Sequence, residues 1–360
     1  MRRRVILIGL GLAVLGIGGF ILRTLWLAGA FRRISPHFSG TCRLVEGPVG
    51  PEDITIHPKR GVAFISASDR RAVAAGKPVP GALYAYDLDA ETARPVNLTP
   101  HADVSFQPHG ISLWVDDAGH EVLFVVNHPP PGTSTHANTI EIFDFDDGAL
   151  VHRATLTDPL LVMPNDLVAV GVDSFYVTNT HRHPPGFMQT VESYLRLSGA
   201  QILYYGKGGF RPALTNVVFP NGINVSRDGR TLYVAAMTER RVRVYDRDPA
   251  TETLTLRDNI FVGTAPDNIE VAADGALWIG AHPKLLRTVA HLGDPAELSP
   301  AQVLRITPDG AVKEIYLSRG EQLSASSVAA VRGRRLLIGQ VAGNGFLDCL
   351  LPDDPSGERP

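Results

Sequence analysis

Apolar and polar residues alternate along most of the chain in short runs. Period-two alternation of this length is the mark of half-buried strands. The runs are introduced by polar turns, usually opened by proline, and the turn-plus-strand unit repeats. The copies are Pro51-Glu52-Asp53-Ile54-Thr55-Ile56, Pro108-His109-Gly110-Ile111-Ser112-Leu113, Pro164-Asn165-Asp166-Leu167-Val168-Ala169-Val170, Pro220-Asn221-Gly222-Ile223-Asn224-Val225 and Pro266-Asp267-Asn268-Ile269-Glu270-Val271. A weaker sixth, Ala325-Ser326-Ser327-Val328-Ala329-Ala330-Val331, lacks the proline. Successive copies start 57, 56, 56, 46 and 59 residues apart.

Each copy is followed by a second strand-like run: Val62–Ser66, Val122–Asn127, Ser174–Thr178, Thr231–Ala235, Ala276–Gly280 and Arg335–Gly339. Leu83–Leu88, Thr139–Phe145, Arg241–Tyr245 and Gln302–Ile306 fit third or fourth strands. Helical periods are nearly absent, the best being a single insertion over Gly186 to Leu197. Six units with room for four strands each predict an all-β chain folded as a six-bladed β-propeller over 40–351, followed by a disordered tail over 352–360. A solenoid is the alternative, and it does not need the two chain ends to meet.

The N-terminus breaks this pattern. Arg2, Arg3 and Arg4 precede Val5 to Leu22, 18 residues without a charge, and Arg23, Arg32 and Arg33 follow. That run is just long enough to span a bilayer as a helix. The leading arginines then stay inside and the rest of the chain is exported. We expect residues 1–33 to be a signal-anchor helix holding the propeller to the outer side of a membrane. Secretion after cleavage near Ala30 is the alternative. Export makes Cys42 and Cys349 able to pair, joining the chain ends in a closing disulfide, the alternative being two free thiols. With 307 residues enclosed, such a bridge is worth on the order of 4–5 kcal/mol in the chain-entropy account.

Composition narrows the chemistry. With 34 basic and 37 acidic residues the net charge is −3, and without the six N-terminal arginines it is −9. That is no footprint for nucleic acid. Two cysteines are too few for a zinc ribbon or an iron–sulfur site. In a propeller, equivalent turns recur around one central channel. If the turns open the inner strands, Glu52, Asp53, His109, Asn165, Asp166, Asn221, Asp267 and Asn268 converge there. One Asp or Asn is an ordinary turn former. Six turns polar at one offset with different residues point instead to a site. Carboxylates and amides without thiolates suit a hard cation, calcium before zinc or magnesium.

At these residues the sequence resembles the paraoxonase/arylesterase family. The likeness runs in order from about Gly40 to Leu350. Its carriers are Gly50-Pro51-Glu52-Asp53 with Gly61-Val62-Ala63-Phe64-Ile65-Ser66, then Phe106-Gln107-Pro108-His109-Gly110-Ile111-Ser112 and Val125-Val126-Asn127-His128-Pro129. Pro164-Asn165-Asp166-Leu167-Val168-Ala169-Val170-Gly171, Asn221-Gly222-Ile223-Asn224 and Asp267-Asn268-Ile269 complete them. The resemblance implies a six-bladed propeller with two axial calcium ions, a disulfide joining the ends and a retained N-terminal segment. It implies a catalytic calcium on Glu52, Asn165, Asn221, Asp267 and Asn268, and a structural one on Asp53, Asp166 and the carbonyl of Ile111. It makes His109 the general base and His128 its orienting or relaying partner. His282, Thr180, His181 and Phe219 would line the pocket. Thr180 departs from the family, whose mammalian members carry an aspartate there, so a proton relay loses support.

The expected activity is calcium-dependent hydrolysis of lactones and aryl esters, with weak organophosphatase action as a side activity. A histidine-activated water attacks the polarised carbonyl. Small esters or lactones are the expected partners, with the membrane met through the N-terminal helix. Two rivals remain, a sugar lactonase of the gluconolactonase type and a ligand-binding propeller whose calcium is only structural. Pro108-His109-Gly110 and Asn127-His128-Pro129 disfavour the first. Oligomeric state is not legible in the sequence.

Overall fold

A computed structural model describes residues 2–353; of the expected tail, 354–360 lie outside the described residues. Six four-stranded antiparallel sheets form the body of the protein. The predicted repeats open the inner strands of the six blades: Pro51–Ile56, Pro108–Val115, Pro164–Gly171, Pro220–Val225, Ala265–Val271 and Ser326–Arg332. Each inner strand packs beside the next, and the sixth packs beside the first. That closed ring is a propeller and excludes the solenoid.

The second strands also lie where the sequence put them: Val62–Ala67, Glu121–Asn127, Ser174–Asn179, Thr231–Ala236, Leu277–His282 and Arg335–Gln340. Apolar side chains on neighbouring sheets fuse into one cluster per blade junction. Phe124, Ile140, Leu167 and Phe175 join blades two and three, and Ile54, Tyr86, Val328 and Phe346 join blades six and one. These residues are fully or almost fully buried, and about 25 cal/mol per Å² of apolar area makes such junctions the main source of stability.

Closure uses both ends of the chain. Thr41–Val49 is the outer strand of blade six, paired antiparallel with Asn344–Leu350. Cys42 stands opposite Cys349 in that register, and the two are disulfide-bonded. Strand exchange between the termini was not anticipated, because the run around Thr41 carries no turn of the repeat type.

One expectation is corrected. The predicted helix over Gly186–Leu197 forms over Phe187–Leu195, but it is not the single insertion. Leu285–Gly293 is a second helix of the same length, and Arg70–Ala74 is a short third. Nine residues give too few turns for a 3.6-residue period to stand out from a chain dominated by alternation. The N-terminal helix runs from Arg2 to Leu27, and its stretch Gly9–Leu27 is long and apolar enough to cross a bilayer, with none of it buried in the protein. The chain then folds straight onto the propeller. Ala28 O accepts the Leu285 amide (3.0 Å), the Arg240 guanidinium covers the Trp26 ring (4.9 Å), and His37 pairs with Leu317 as an isolated bridge. The exposed apolar helix and the disulfide together suggest a signal or anchor and an exported location.

Candidate functional site

In every blade the pairing between first and second strands slips within the first two residues of the inner strand. The shift falls between Pro51 and Asp53, Pro108 and Ile111, Pro164 and Leu167, Pro220 and Ile223, Pro266 and Ile269, and Ser326 and Ala329. Proline suits a first strand position because it has no N–H to give the ladder. A bulge re-aims side chains and ends local pairing. The residues in these slips are Glu52, His109, Asn165, Asp166, Asn221, Asp267 and Asn268, most of the chemistry predicted from sequence. Glycine serves this crowding: a Cβ on Gly110 would lie 2.5 Å from Asp166 Cα, and one on Gly222 2.3 Å from Asp267 O. Only glycine lets these turns nest against the next blade.

The contacts tie five blades together. Asn268 Nδ2 donates to Glu52 Oε1 (2.9 Å). His109 Nε2 lies 3.6 Å from Glu52 Oε2 and 3.2 Å from Asn165 Nδ2. His282 Nε2 is 2.8 Å from Asp267 Oδ2. Thr178 Oγ1 donates to Asn221 O (2.7 Å), fixing that turn from behind. The His109 and His128 rings meet edge to face with centroids 5.0 Å apart.

Asp53 and Asp166, one residue further along their strands, behave differently. Asp53 accepts from the amides of Ile54 (2.9 Å) and, across the blade junction, Ile111 (2.8 Å). Asp166 does the same with Leu167 (2.7 Å) and Ile223 (2.8 Å). Each carboxylate therefore clamps its blade to the next.

Four buried oxygens at this centre meet no donor: Glu52 Oε2, Asn165 Oδ1, Asn221 Oδ1 and Asn268 Oδ1. An unpaired buried acceptor costs about 1–3 kcal/mol, and four together are unusual. All four belong to the donor set expected for the catalytic ion, and all are oxygens. No group of three His, Cys, Asp or Glu side chains converges as a metal site among the described residues, and at this centre three of the five expected donors, Asn165, Asn221 and Asn268, are amides. The acids have little countercharge: Arg70 Nη2, 4.0 Å from Glu52 Oε2, is the cation beside them. Burial pushes Glu52 well above the usual carboxylate range, with Arg70 opposing. It pushes Asp53 to about 7 against the two amides it accepts, and it raises Asp166 strongly, helped by the Asp53 charge. A hard cation would satisfy the oxygens and the charge at once, so the residues fit one.

Burial, then Arg70 and His128, hold the proton affinity of His109 well below that of a free imidazole; burial brings His128 to about 4. Both rings are therefore neutral at pH 7.

The pocket residues form their own cluster. His181 Nε2 is 2.8 Å from Ser193 Oγ, its Nδ1 is 3.0 Å from Thr180 Oγ1, and its ring lies edge-on to Phe219 (4.8 Å). They line a small slot under the helix Phe187–Leu195. A larger groove of about 800 Å³ lies at the foot of the N-terminal helix, between Arg33, Lys284 and Arg319, and contains none of the axial donors. Donor chemistry, not concavity, marks the site.

Sequence reasoning missed Arg70 and Asn138. Arg70 Nη1 donates to Gly50 O and Val341 O (3.1 Å each), and its Nη2 reaches His109 Nδ1 (3.1 Å). Asn138 Oδ1 lies 2.7 Å from His128 Nδ1. The usable signal was positional. Arg70, His128, Thr180, His181 and His282 all lie at or just past the ends of second strands, on the rim where the inner strands begin.

A family model described as Arylesterase matches residues 34–350. The chain is 34% identical to serum paraoxonase/arylesterase 2 of Rattus norvegicus over 348 residues, 92% of this chain and 95% of that one. It is 35% identical to serum paraoxonase/arylesterase 1 of Homo sapiens over 326 residues, 87% of this chain and 89% of that one. Among solved structures, a calcium-binding protein, regucalcin, from Agrobacterium tumefaciens str. C58 superposes with a TM-score of 0.52 at 17% identity, covering 88% of this chain and 97% of that one. That last likeness is one of fold. Taken with the propeller and its polar centre, the match over residues 34–350 establishes that this chain belongs to the paraoxonase/arylesterase family of carboxylic-ester hydrolases.

Proposed function

We propose that the protein is a calcium-dependent hydrolase of lactones and aryl esters. The observation that carries this reading is the set of four donor-less buried oxygens beside a pair of neutral histidines. Glu52, Asn165, Asn221, Asp267 and Asn268 would hold one ion. Asp53, Asp166 and the Ile111 carbonyl would hold a second, since each oxygen of the two aspartates that accepts one amide keeps a further lone pair. Calcium held at the first site supplies Lewis-acid polarisation of an ester carbonyl.

The chain's own residues do the rest. A ring neutral at pH 7 can take a proton from water, and His109 and His128 are the rings beside the donor set. Arg70 braces His109 from the side away from Asn165. His282 holds Asp267 in place, and Asn268 holds Glu52. The slot lined by Thr180, His181 and Phe219 is only about 10 Å³, room for about one water, so these residues would border the ester rather than enclose it. His181 meets the Thr180 hydroxyl, and burial lowers its proton affinity against the Glu192 charge. Weak phosphotriester hydrolysis at the same centre is a side activity.

The N-terminal helix is best read as a retained anchor. Ala28 and Gly29 are packed against the Pro283–Leu285 turn, and cleavage near Ala30 would discard both contacts. Intact mass of the membrane fraction checks this. For the activity, a panel of lactones of graded ring size plus phenyl acetate is assayed with and without chelator. Turnover that disappears with EDTA and returns with calcium is expected; a complete lack of chelator-sensitive turnover overturns the reading.

A further inference from the structure

The groove of about 800 Å³ at the foot of the N-terminal helix has a chemistry of its own. Five cations line it, Arg32, Arg33, Lys284, Arg287 and Arg319, against one acid, Glu297. Arg32 is paired with Glu314, and Arg287 with Glu297. Arg33, Lys284 and Arg319 pair with no carboxylate among the described residues, and Lys284 Nζ reaches the carbonyl of Ala30 (3.4 Å). Three cations sharing one groove repel one another unless an anion lies between them. The chain beyond residue 33 carries a net charge of −9, so this basic groove stands against an acidic body.

Its place in the chain is that of a headgroup layer. The lining begins at Ala30, just past the apolar stretch Gly9–Leu27. The 19 helical residues of that stretch span about 28 Å, close to the hydrocarbon thickness of a bilayer. Trp26, near its outer end, is a residue type that marks the membrane interface. The groove has an apolar wall as well: Phe31 is 60% exposed and Leu298 44%. An anion with an apolar body matches both walls, whereas a free phosphate uses only the basic one. Lysine and arginine at the outer end of an anchor run against the usual bias toward the inner side. An anionic partner gives them a reason to be there.

We propose that this groove binds one anionic phospholipid of the bilayer that holds the anchor. This rests on the retained-anchor reading above. The phosphodiester sits among Arg33, Lys284 and Arg319. Guanidinium forks match phosphate oxygens, and the ammonium adds a point charge. Lys284 opens the helix Leu285–Gly293, whose first turn has no side-chain cap and adds partial positive charge. Phe31 and Leu298 meet the start of the acyl chains, which continue along the unburied N-terminal helix. Arg33 belongs to the anchor's foot, while Lys284 and Arg319 flank strands of blade five. The lipid therefore bridges anchor and propeller and sets how the propeller rests on the membrane.

The test is native mass spectrometry of the full chain in detergent, titrated with phosphatidylglycerol and with phosphatidylcholine of the same acyl chains. One phosphatidylglycerol should bind, about ten-fold or more tighter than phosphatidylcholine, as one site with several cations requires. Arg33→Gln/Lys284→Gln/Arg319→Gln should weaken it about a hundred-fold, at about five-fold for each cation beside an anionic headgroup. Its circular dichroism spectrum should match the wild type. Arg94→Gln/Lys207→Gln/Arg227→Gln removes three exposed cations elsewhere and should leave the affinity within about two-fold. Inorganic phosphate in excess should not displace the lipid. Equal binding of the two lipids, equal losses in the two triple variants, or displacement by inorganic phosphate overturns the inference. The protein mass in the same spectra reports the anchor separately. A chain that has lost its first thirty residues refutes the anchor reading and the site with it, whereas an intact chain that does not select phosphatidylglycerol refutes the site alone.

Discussion

Two sets of polar side chains share the axial turns, one residue apart, and solve opposite problems. Asp53 and Asp166 give their oxygens to amides of their own and the following blade, and in doing so they hold blades together. Glu52, Asn165, Asn221 and Asn268 leave an oxygen with no protein donor. The first set is already hydrogen-bonded within the fold and has only spare lone pairs to offer an ion, while the second is complete only with something bound. A satisfied polar group contributes stability, whereas an orphaned buried one costs it, and proteins tolerate that cost where function uses it. The comparison separates scaffold from site inside one repeated motif.

The sharpest break of that contrast is Glu52→Gln. It should lower calcium-dependent kcat/KM on lactones by about 10²–10³, the scale for losing one electrostatic stabiliser of a transition state. Its melting temperature in EDTA should stay near that of the chelated wild type. Asp53→Ala should do the reverse in kind. It strands the amides of Ile54 and Ile111, and at about 1–3 kcal/mol each the loss in urea unfolding should be about 2–6 kcal/mol in EDTA, and larger with calcium, whose second proposed site it removes. Cys42→Ser tests closure away from both sets, with an expected loss of about 2–4 kcal/mol and unchanged KM. Gly222→Ala pushes a Cβ onto Asp267 O and should cost about 1–3 kcal/mol by overpacking while weakening calcium binding.

The smallest effect is on pH. Burial raises Asp53 from 3.8 to about 7 in the ion-free protein. A raised carboxyl binds more protons folded than unfolded, so its stabilising contribution is full below pH 4 and lost as pH rises through 7. The melting temperature in EDTA should therefore fall between pH 5 and pH 8, and the rise produced by added calcium should grow over the same interval.

Much of this was legible in the sequence because a repeated offset reports on geometry. Six polar turns at like spacing place their residues at one centre if the fold is a ring, and the strands confirmed the ring. Glu52, Asn165 and Asn268 could be named without coordinates for that reason. Arg70 and Asn138 could not. Each acts through one nitrogen of one ring, a matter of ångströms with no repeat equivalent. The outer strand Thr41–Val49 was hidden for a related reason, since it is the one strand that closes the circle from the other end of the chain. The helix Leu285–Gly293 was too short to impose its period.

Calorimetric titration of chelated wild-type protein with calcium goes to the heart of the account. Saturable binding of two ions is expected, and a Glu52→Gln/Asn221→Leu double variant that keeps its folded circular dichroism spectrum should lose one of them. Equal heats for wild type and double variant, or no binding by either, would contradict the claim that the donor-less oxygens hold a cation.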